Sequence, residues 1–529
     1  MKKKNEIISY LEAFHDEVTG SSFLLTIKYP DGDSYHILID CGLFQEPEYL
    51  RLNYKSEIRV ENIDAILITH NHIDHTGGLP KLVKLGYRNP IYMTSSTKSL
   101  IPSFLADSAN HQASTITEIQ KKYPDEKFNI PYTILDVEET INLIQGIPFS
   151  KTIEILPGVC ITFFPNGHLL GASVILVQIS FYGAKDVNFL FTGDYKKNNT
   201  FFDVPALPKW VRNLPISIIT ESTYGTTKPE DIKKTFDHNI LTAVELKQNI
   251  MIGAFAQGRM QEILWKIKLL QDSYPEKFEN YEILLDGHLG IETCSIYRRI
   301  MFSSYCYHKD ENIDVSFYPR NLRIVSKQER NSIFSSSSTK KIVITTSGML
   351  SHGPALTYVP MFIQKENSLI HLTGYAAEGT LARKLIDSSE SNDSEVEING
   401  ELLQLKSTIK WTNEFSSHSN SIELIDFLKQ FNNLKFVIIN HGEKKVKESF
   451  KALVINSGIS NVEIIDRNKV FVIGHYGFLK SMNSKKTCFN LPKNHRDATK
   501  KYEPCPKRKC KREPVSYTHL RAHETGRNL

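Results

Sequence analysis

The chain has 529 residues, of which 40% are hydrophobic and 23% charged, and it carries a formal net charge of +5. This length exceeds what one hydrophobic core normally serves, and the composition excludes a disordered chain. No apolar run approaches the length of about eighteen residues that a membrane helix needs, and the basic start MKKK lacks the apolar stretch of a signal peptide. We therefore expect a multidomain cytoplasmic protein that contacts no membrane.

Short apolar, β-branched runs recur along the chain and predict strands. In chain order they are HILID (36–40), AILIT (65–69), VCITFF (159–164), SVILVQI (173–179), NFLFTG (188–193), SIITE (217–221), NIMIGAF (249–255), EILLDG (282–287), KIVITTSG (341–348), SLIHLTG (368–374) and KFVIIN (435–440). Helical patterns lie between several of them, for example GRMQEILWKIKLLQ (258–271) and NSIELIDFLKQF (420–431). This alternation predicts an α/β fold with extensive sheet.

Polar residues of catalytic or metal-binding type follow several of these runs directly. They are Asp40, His70, Asp194, Glu221 and His441. In layered α/β folds, ligand and catalytic sites gather where strands end. We therefore expect these five side chains to converge on one edge of the core.

The segment THNHIDHTGG holds four candidate metal ligands, His70, His72, Asp74 and His75, directly after a predicted strand. Imidazole nitrogens and carboxylate oxygens without thiolates suit zinc, and less commonly iron or manganese. The ligands are too many for one closed four-ligand site, which favours an open or binuclear centre. A polar turn that binds no metal is the alternative, and the density of ligands disfavours it.

This segment, in its longer form THNHIDHTGGLPKL, resembles the main motif of the metallo-β-lactamase fold. Asp40 in LIDCG, His168 in NGHLLGAS and Asp194 in FTGDY resemble the other motifs of that fold, in the same order along the chain. Taken singly, Asp40 has a simpler explanation as a strand-end turn, and His168 as a core histidine. Their order and spacing relative to residues 70–75 favour the resemblance.

The resemblance narrows to the β-CASP branch, whose members process nucleic acids. Glu221 in TESTYG matches motif A of that branch, His418 in FSSHSN matches motif B, and His441 in INHGE matches motif C. Three further segments, GAFAQGRMQEIL, TTSGMLSHGPA and GYAAEGTLARKL, resemble the connecting parts of RNA 3′-end-processing endonucleases. The resemblance covers residues 12–475 approximately.

The resemblance implies an α/β fold, namely a metallo-β-lactamase αββα sandwich with an inserted β-CASP α/β cap domain. The expected organisation, in chain order, is the N-terminal part of the metallo-β-lactamase domain (1–226), the cap (227–395), the C-terminal part (396–475), a disordered basic tail (476–514) and a non-native end (515–529). Residues 515–529 resemble a translated sequencing adapter. The segment 485–529 has a charge balance of +9, which leaves the rest of the chain at −4. Such a tail either steers a polyanion or is simply a solvated end.

The resemblance also implies two Zn²⁺ ions per chain. One would be held by His70, His72 and His168, the second by Asp74, His75 and His441, with Asp194 bridging the two. Two metals can clamp the attacking and leaving oxygens of a phosphodiester.

Other residues receive supporting roles from the same resemblance. His418 would be the general acid, because imidazole titrates near working pH. Glu221 would orient His418 and raise its pKa, and Asp40 would fix the tautomer of a ligand histidine. Backbone donors around Ser347, Gly348 and Gly374 are candidate phosphate contacts, although ordinary strand-end turns explain them equally well.

The function implied is a zinc-dependent ribonuclease that cuts single-stranded RNA internally and leaves a 3′-hydroxyl and a 5′-phosphate. A 5′-to-3′ exoribonuclease of the RNase J type and a DNA-processing β-CASP nuclease remain as alternatives, and His441 favours RNA over DNA. A catalytically dead scaffold is disfavoured because every ligand position is filled. A small-molecule hydrolase is disfavoured because it would lack the cap and motifs A to C. The sequence leaves open whether the protein forms a homodimer.

Overall fold

The computed structural model describes residues 6–484 except 47, 55–57, 126, 203, 302–316, 336–338, 375, 378, 392 and 399. The strands of the N-terminal part are β1 (Ile8–Ala13), β2 (Phe23–Lys28), β3 (Ser34–Ile39), β4 (Ala65–Leu67), β5 (Ile91–Thr94), β6 (Ile144–Ile147), β7 (Ile153–Leu156), β8 (Val159–Pro165), β9 (Ser173–Ile179), β10 (Val187–Phe191) and β11 (Ile216–Thr220). Its α-helices are α1 (Ile73–Thr76), α2 (Leu79–Lys84), α3 (Ser95–Lys122), α4 (Ile134–Leu143) and α5 (Lys209–Arg212).

The middle of the chain alternates helices and strands. They are α6 (Phe236–Glu245), β12 (Asn249–Gly253), α7 (Arg259–Ser273), α8 (Pro275–Phe278), β13 (Tyr281–Asp286), α9 (His288–Met301), β14 (Leu322–Ile324), β15 (Lys340–Thr345), α10 (Ala355–Ile363), β16 (Ser368–Leu372), α11 (Leu381–Glu390), β17 (Glu395–Ile398), β18 (Glu401–Gln404) and β19 (Thr408–Trp411). The C-terminal part contains α12 (Ser421–Lys429), β20 (Leu434–Ile439), α13 (Lys444–Asn456), β21 (Val462–Ile464), β22 (Lys469–Gly474) and β23 (Gly477–Asn483). Short 3₁₀ helices lie at Leu50–Tyr54, Val60–Asn62, Pro229–Asp231 and Arg330–Ser332.

Two sheets from the N-terminal and C-terminal parts pack face to face. One has the strand order β23-β22-β1-β2-β3-β4-β5-β6, and the other β21-β20-β11-β10-β9-β8-β7. Buried side chains such as Leu25, Phe163 and Phe189 fill the space between the sheets. Helices α2 to α4 cover the outer face of the first sheet, and α5, α12 and α13 cover that of the second. Every residue of β8, β10 and β11 is buried, because these strands are covered on both faces. This arrangement is the αββα sandwich that the sequence predicts.

The inserted part forms a separate α/β layer. Its six-stranded sheet is entirely parallel and has the order β14-β13-β15-β12-β16-β19. Successive side chains of β12 point to opposite faces, so Ile250 packs among α6 to α9 and Met251 packs beneath α10 and α11. Leu170 and Phe201 of the sandwich join the first of these two cores, which fastens the cap to the sandwich.

The cap extends further along the chain than its predicted end at residue 395. Strand β19 pairs in parallel with β16 through Leu369–Thr408 to Leu372–Trp411, so the cap sheet takes its last strand from beyond that boundary. The short, alternating sequence TIKW of β19 is too brief a pattern to assign to either part without knowing its neighbour.

The predicted start of the basic tail at residue 476 is wrong. Strand β23 closes a hairpin on β22, with Gly477 at a φ of 99° in the turn. The Phe478 ring stacks on Phe436 at a centroid distance of 4.8 Å. The pairing with β22 makes residues 477–483 part of the sheet, and this segment, GFLKSMN, carries one lysine and does not share the basic composition of the residues after 484. The remainder of the predicted tail and non-native end, 485–529, lies outside the described residues.

No helix in the described part of the chain is both long enough and apolar enough to cross a membrane.

Substitution of Phe189 tests the core between the two sheets, since the Phe189 side chain is fully buried there. We expect Phe189→Ala to lower the free energy of unfolding by about 3–5 kcal/mol, the usual cost of a large cavity. Urea unfolding followed by near-UV circular dichroism measures the change. Tyr182→Ala is the control, because Tyr182 is 77% exposed and its removal should cost little. Equal losses in the two variants would contradict this assignment of the core.

Candidate active site

The ends of five strands from both sheets of the sandwich converge on one edge. Strands β3 and β4 pair in parallel in the first sheet, while β10, β11 and β20 pair in parallel in the second. Their carboxyl ends therefore lie side by side, which places the polar residues that follow them close together. Asp40 and His441 adopt positive φ angles of 57° and 45° directly after β3 and β20. These left-handed turns redirect the chain so that both side chains enter the site.

One group of candidate metal ligands gathers around a single carboxylate oxygen. It consists of His70, His72, His168 and Asp194. Asp194 Oδ2 lies 3.5 Å from both His70 Nε2 and His168 Nε2. His72 approaches through its other nitrogen, since His72 Nδ1 is 3.3 Å from His168 Nε2.

A second group adjoins the first on the other oxygen of the same carboxylate. It consists of Asp74, His75 and His441. Asp194 Oδ1 lies 3.2 Å from His75 Nε2 and 3.3 Å from His441 Nε2. Asp74 Oδ2 is 3.7 Å from His441 Nε2. Asp194 thus faces both groups, one oxygen to each.

These side chains are better placed to coordinate divalent metal ions than to hydrogen-bond with one another. His70 Nε2 and Asp194 Oδ1 are buried and make no hydrogen bond with any described residue. Leaving buried polar atoms unpaired is costly, and the cost is removed when the atoms coordinate an ion. Burial also lowers the pKa of His70 and of His168 well below the usual value, so both imidazoles are neutral, as ligands must be.

Hydrogen bonds on the far side of each ring orient the histidines. Asp40 Oδ2 lies 2.7 Å from His75 Nδ1, which places the proton on Nδ1 and leaves Nε2 facing the centre. Asp40 is in turn held by the amide and hydroxyl of Thr69, at 2.8 Å each. The Ser417 carbonyl oxygen is 2.8 Å from His168 Nδ1, and Thr223 Oγ1 is 2.9 Å from His441 Nδ1.

Thr69, Thr223 and Ser417 were not among the predicted site residues. Each is a neighbour of a predicted residue, in AILIT, TESTYG and FSSHSN respectively. Adjacency to a ligand or catalytic residue was the only signal in the sequence, and it does not say which histidine each one would contact.

His418 and Glu221 form a pair beside the metal-ligand groups. Glu221 Oε2 lies 2.8 Å from His418 Nδ1, and His418 Nε2 lies 4.0 Å from Asp194 Oδ2. Burial alone would lower the pKa of His418, but the carboxylates of Glu221, Asp194 and Asp74 together outweigh it, Glu221 most, and raise the pKa to about 8. Glu221 itself is fixed by the Tyr195 amide, which donates to Oε1 at 2.5 Å. His418 is therefore held with Nε2 directed at the centre.

The predicted phosphate contacts lie in the cap. At two of them, Gly348 and Gly374, a neighbouring side chain packs so closely that a larger residue would crowd it. A side-chain carbon on Gly348 would lie 2.9 Å from the Phe255 ring, and one on Gly374 would lie 2.6 Å from Arg259 Nη1. Ser347 Oγ accepts a hydrogen bond from the Ser351 amide at 3.2 Å. Their role as phosphate contacts stays a prediction.

The cap touches the metal-binding loop through a reciprocal amide pair. Asn71 lies between His70 and His72, and its Nδ2 donates to Gln257 Oε1 at 2.7 Å. Gln257 Nε2 donates back to Asn71 Oδ1 at 2.8 Å, and both residues are buried. The position of the cap and the shape of the loop are thereby coupled.

Three family models match consecutive parts of the chain. They are the metallo-beta-lactamase superfamily over residues 15–170, the Beta-Casp domain over 260–385 and the Zn-dependent metallo-hydrolase RNA specificity domain over 403–464. The match of the third model covers much of the chain that returns from the cap to the sandwich.

The chain is also similar to several characterised proteins. It is 27% identical to the transcription termination factor FttA of Methanococcus maripaludis, over 79% of this chain and 65% of that protein. It is 27% identical to ribonuclease TTHA0252 of Thermus thermophilus, over 81% of this chain and 91% of that protein. It is 27% identical to endoribonuclease ysh1 of Schizosaccharomyces pombe, over 78% of this chain and 51% of that protein. The aligned part of this chain thus spans about two thirds of the FttA relative's length. The chain belongs to the β-CASP family of the metallo-β-lactamase superfamily.

Proposed function

We propose that this protein is a zinc-dependent ribonuclease that cuts single-stranded RNA internally, leaving a 3′-hydroxyl and a 5′-phosphate. The observation that carries the proposal is the sharing of Asp194 between two groups of histidine and aspartate ligands, with the His418–Glu221 pair beside them. Two adjacent ligand sets of this composition suit a two-metal phosphodiesterase.

The ligand sets would hold two zinc ions, one by His70, His72 and His168, the other by Asp74, His75 and His441, with Asp194 between them. Bound zinc supplies Lewis-acid polarisation of the phosphodiester and makes water a nucleophile at neutral pH. Asp40 keeps His75 in the tautomer that presents Nε2.

His418 supplies the proton that the departing ribose oxygen needs. Its Nδ1 is held by Glu221, so the proton that leaves is the one on Nε2, which faces the centre. The Glu221 carboxylate raises the pKa of His418 and so favours the protonated imidazole, which is the form that acts as an acid. Loss of that proton to O3′ of the upstream nucleotide produces the 3′-hydroxyl end.

RNA is favoured over DNA as the substrate. The relatives include proteins named ribonuclease and endoribonuclease, and the C-terminal match is to a domain described by RNA specificity. His441 occupies motif C, where the resemblance associates histidine with RNA enzymes. The experiment below distinguishes the proposed endoribonuclease from a 5′-to-3′ exonuclease and from a DNA nuclease.

Substitution of Asp74 and of His418 separates metal binding from proton transfer. We expect Asp74→Ala to lose most of the activity together with bound zinc, since it removes a ligand. His418→Ala should retain zinc and lower kcat about 10²- to 10⁴-fold, because only the general acid is lost. The substrates are end-labelled linear RNA, circular RNA of the same sequence and the matching single-stranded DNA, and zinc is measured by mass spectrometry.

The circular substrate decides the mode of cleavage, because only an endonuclease can open it. His111→Ala serves as the matched control, since His111 is exposed on α3 and far along the chain from the ligands. Stepwise shortening of linear RNA with intact circles would identify an exonuclease instead. Cleavage of DNA alone would show that RNA is not the substrate.

Substitution of Asp40 tests whether this carboxylate orients the ligand histidine His75. We expect Asp40→Asn to weaken zinc binding about 10- to 100-fold, because the charge that fixes the His75 tautomer is lost while the shape is kept. Titration with a competing chelator measures the affinity. Asp64→Asn is the control: Asp64 Oδ2 accepts from the His36 amide at 2.9 Å in a similar aspartate–histidine pair that contains none of the ligands. Equal zinc affinity in the two variants would refute the role assigned to Asp40.

A further inference from the structure

Arg259 is a cation buried at the junction of cap and sandwich. It is the first residue of α7, and its side chain is 9% exposed. Its Nε and Nη1 atoms are fully buried and make no hydrogen bond in the described part of the chain. Arginine stays protonated in proteins, so the charge cannot be avoided by losing a proton.

Among the described residues, none provides an acidic partner at hydrogen-bond distance from Arg259. Glu262, one turn further along α7, affects the charge only at a distance, because its Oε1 accepts from Thr200 Oγ1 at 2.6 Å. The Phe415 ring lies 5.7 Å from Arg259 Cζ, and Gly374 provides the space into which Nη1 projects. An uncompensated buried charge is destabilising, and an anionic ligand at this place would remove that cost.

The position of Arg259 relates it to the candidate active site. Tyr224, whose phenol interacts electrostatically with Arg259, lies 5.9 Å from the His418 ring between ring centroids. The loop that precedes α7 carries Gln257, which is bonded to Asn71 between two metal ligands. The N-terminus of α7, a helix of fifteen residues capped by Gly258 without a side-chain bond, adds positive potential at the same place.

We propose that Arg259 is a binding residue for a phosphate group of the RNA strand, flanking the phosphodiester that is cut. The guanidinium presents planar N–H donors that match phosphate oxygens, and the Phe415 ring lies on one side of it. Gly374 serves this subsite indirectly, because the absence of a side chain there lets the guanidinium occupy its position. The inference rests on the proposed nuclease function, since it assigns a subsite to that substrate.

The experiment measures RNA binding in the full-length, zinc-loaded His418→Ala protein, so that the strand is not consumed. A fluorescent single-stranded RNA is titrated at several salt concentrations, with Arg259 as wild type, Lys or Gln. We expect Arg259→Gln to raise Kd about 10- to 100-fold, the usual effect of losing a charge-assisted bond. The slope of log K against log salt should become shallower by about 0.7, the value for one phosphate contact on a single strand. Arg259→Lys should keep the wild-type slope and recover part of the affinity.

Two controls separate binding from a structural effect. Arg298→Gln removes a comparable arginine, exposed on α9 and 5.8 Å from the Tyr318 ring, and should leave Kd and slope unchanged. Thermal unfolding of Arg259→Gln without RNA should occur at the same or a higher temperature, because a buried unpaired charge has been removed. A lower unfolding temperature with an unchanged salt slope would show that Arg259 is structural and overturn the proposal.

Two chemical probes identify the source of the phosphate. RNA with a single neutral methylphosphonate, moved along the strand, should bind the wild-type Arg259 protein more weakly at one position and Arg259→Gln equally at all positions. Inorganic phosphate is titrated into both proteins. If phosphate affinity falls in Arg259→Gln while RNA affinity and slope do not, the site takes free phosphate and the strand subsite is refuted. Failure of the nuclease proposal is seen separately, as absence of cleavage by the wild-type enzyme.

Discussion

The Asp194 carboxylate is the interaction on which the rest of the site depends. It lies at the end of β10, with one oxygen toward His70 and His168 and the other toward His75 and His441. The four histidines come from three separate stretches of the chain in both sheets. Only a sandwich that aligns the carboxyl ends of its parallel strands can bring them within reach of one side chain. The positions of the ligands around Asp194 therefore follow from the alignment of the strand ends in the sandwich.

Rigidity around this carboxylate comes from bonds that lie behind the ligands. Asp40, Thr223 and the Ser417 carbonyl hold the far nitrogens of His75, His441 and His168. Such support fixes ring orientation and tautomer before any metal or substrate binds, which reduces the reorganisation that binding requires. The cap adds a further restraint through the Asn71–Gln257 amide pair, which joins the loop that carries the ligands to the cap.

The candidate active site in the sandwich and the cap junction differ in the charged groups that they bury. In the sandwich, buried acidic and imidazole groups face one another around a centre suited to cations. At the cap junction, Arg259 is a buried cation with no acidic partner at bonding distance in the described residues. A phosphodiester strand that crosses this junction would meet both, because its phosphates would be attracted to the guanidinium and to the cations that the ligand groups would hold.

The sequence by itself determined the fold class, the order of the strands that carry site residues, and the identity of the candidate ligands. Part of this information is local, because Asp40, Asp194, Glu221 and His441 follow apolar runs and residues 70–75 form one dense segment. The sandwich with its inserted cap, and His168 as a ligand, came from the resemblance to the β-CASP family. The tertiary structure decided which atoms meet. It showed that His72 approaches through Nδ1, that Asp40 serves His75, that β19 belongs to the cap, and that residues 477–483 pair with the sandwich. It also revealed Arg259, whose lack of partners depends on residues far away in the chain. Most of these facts are contacts between segments separated by tens to hundreds of residues, which no local pattern of composition or spacing encodes. The β22–β23 hairpin itself is local, but it joins the sandwich through the pairing of β22 with β1, far away in the chain.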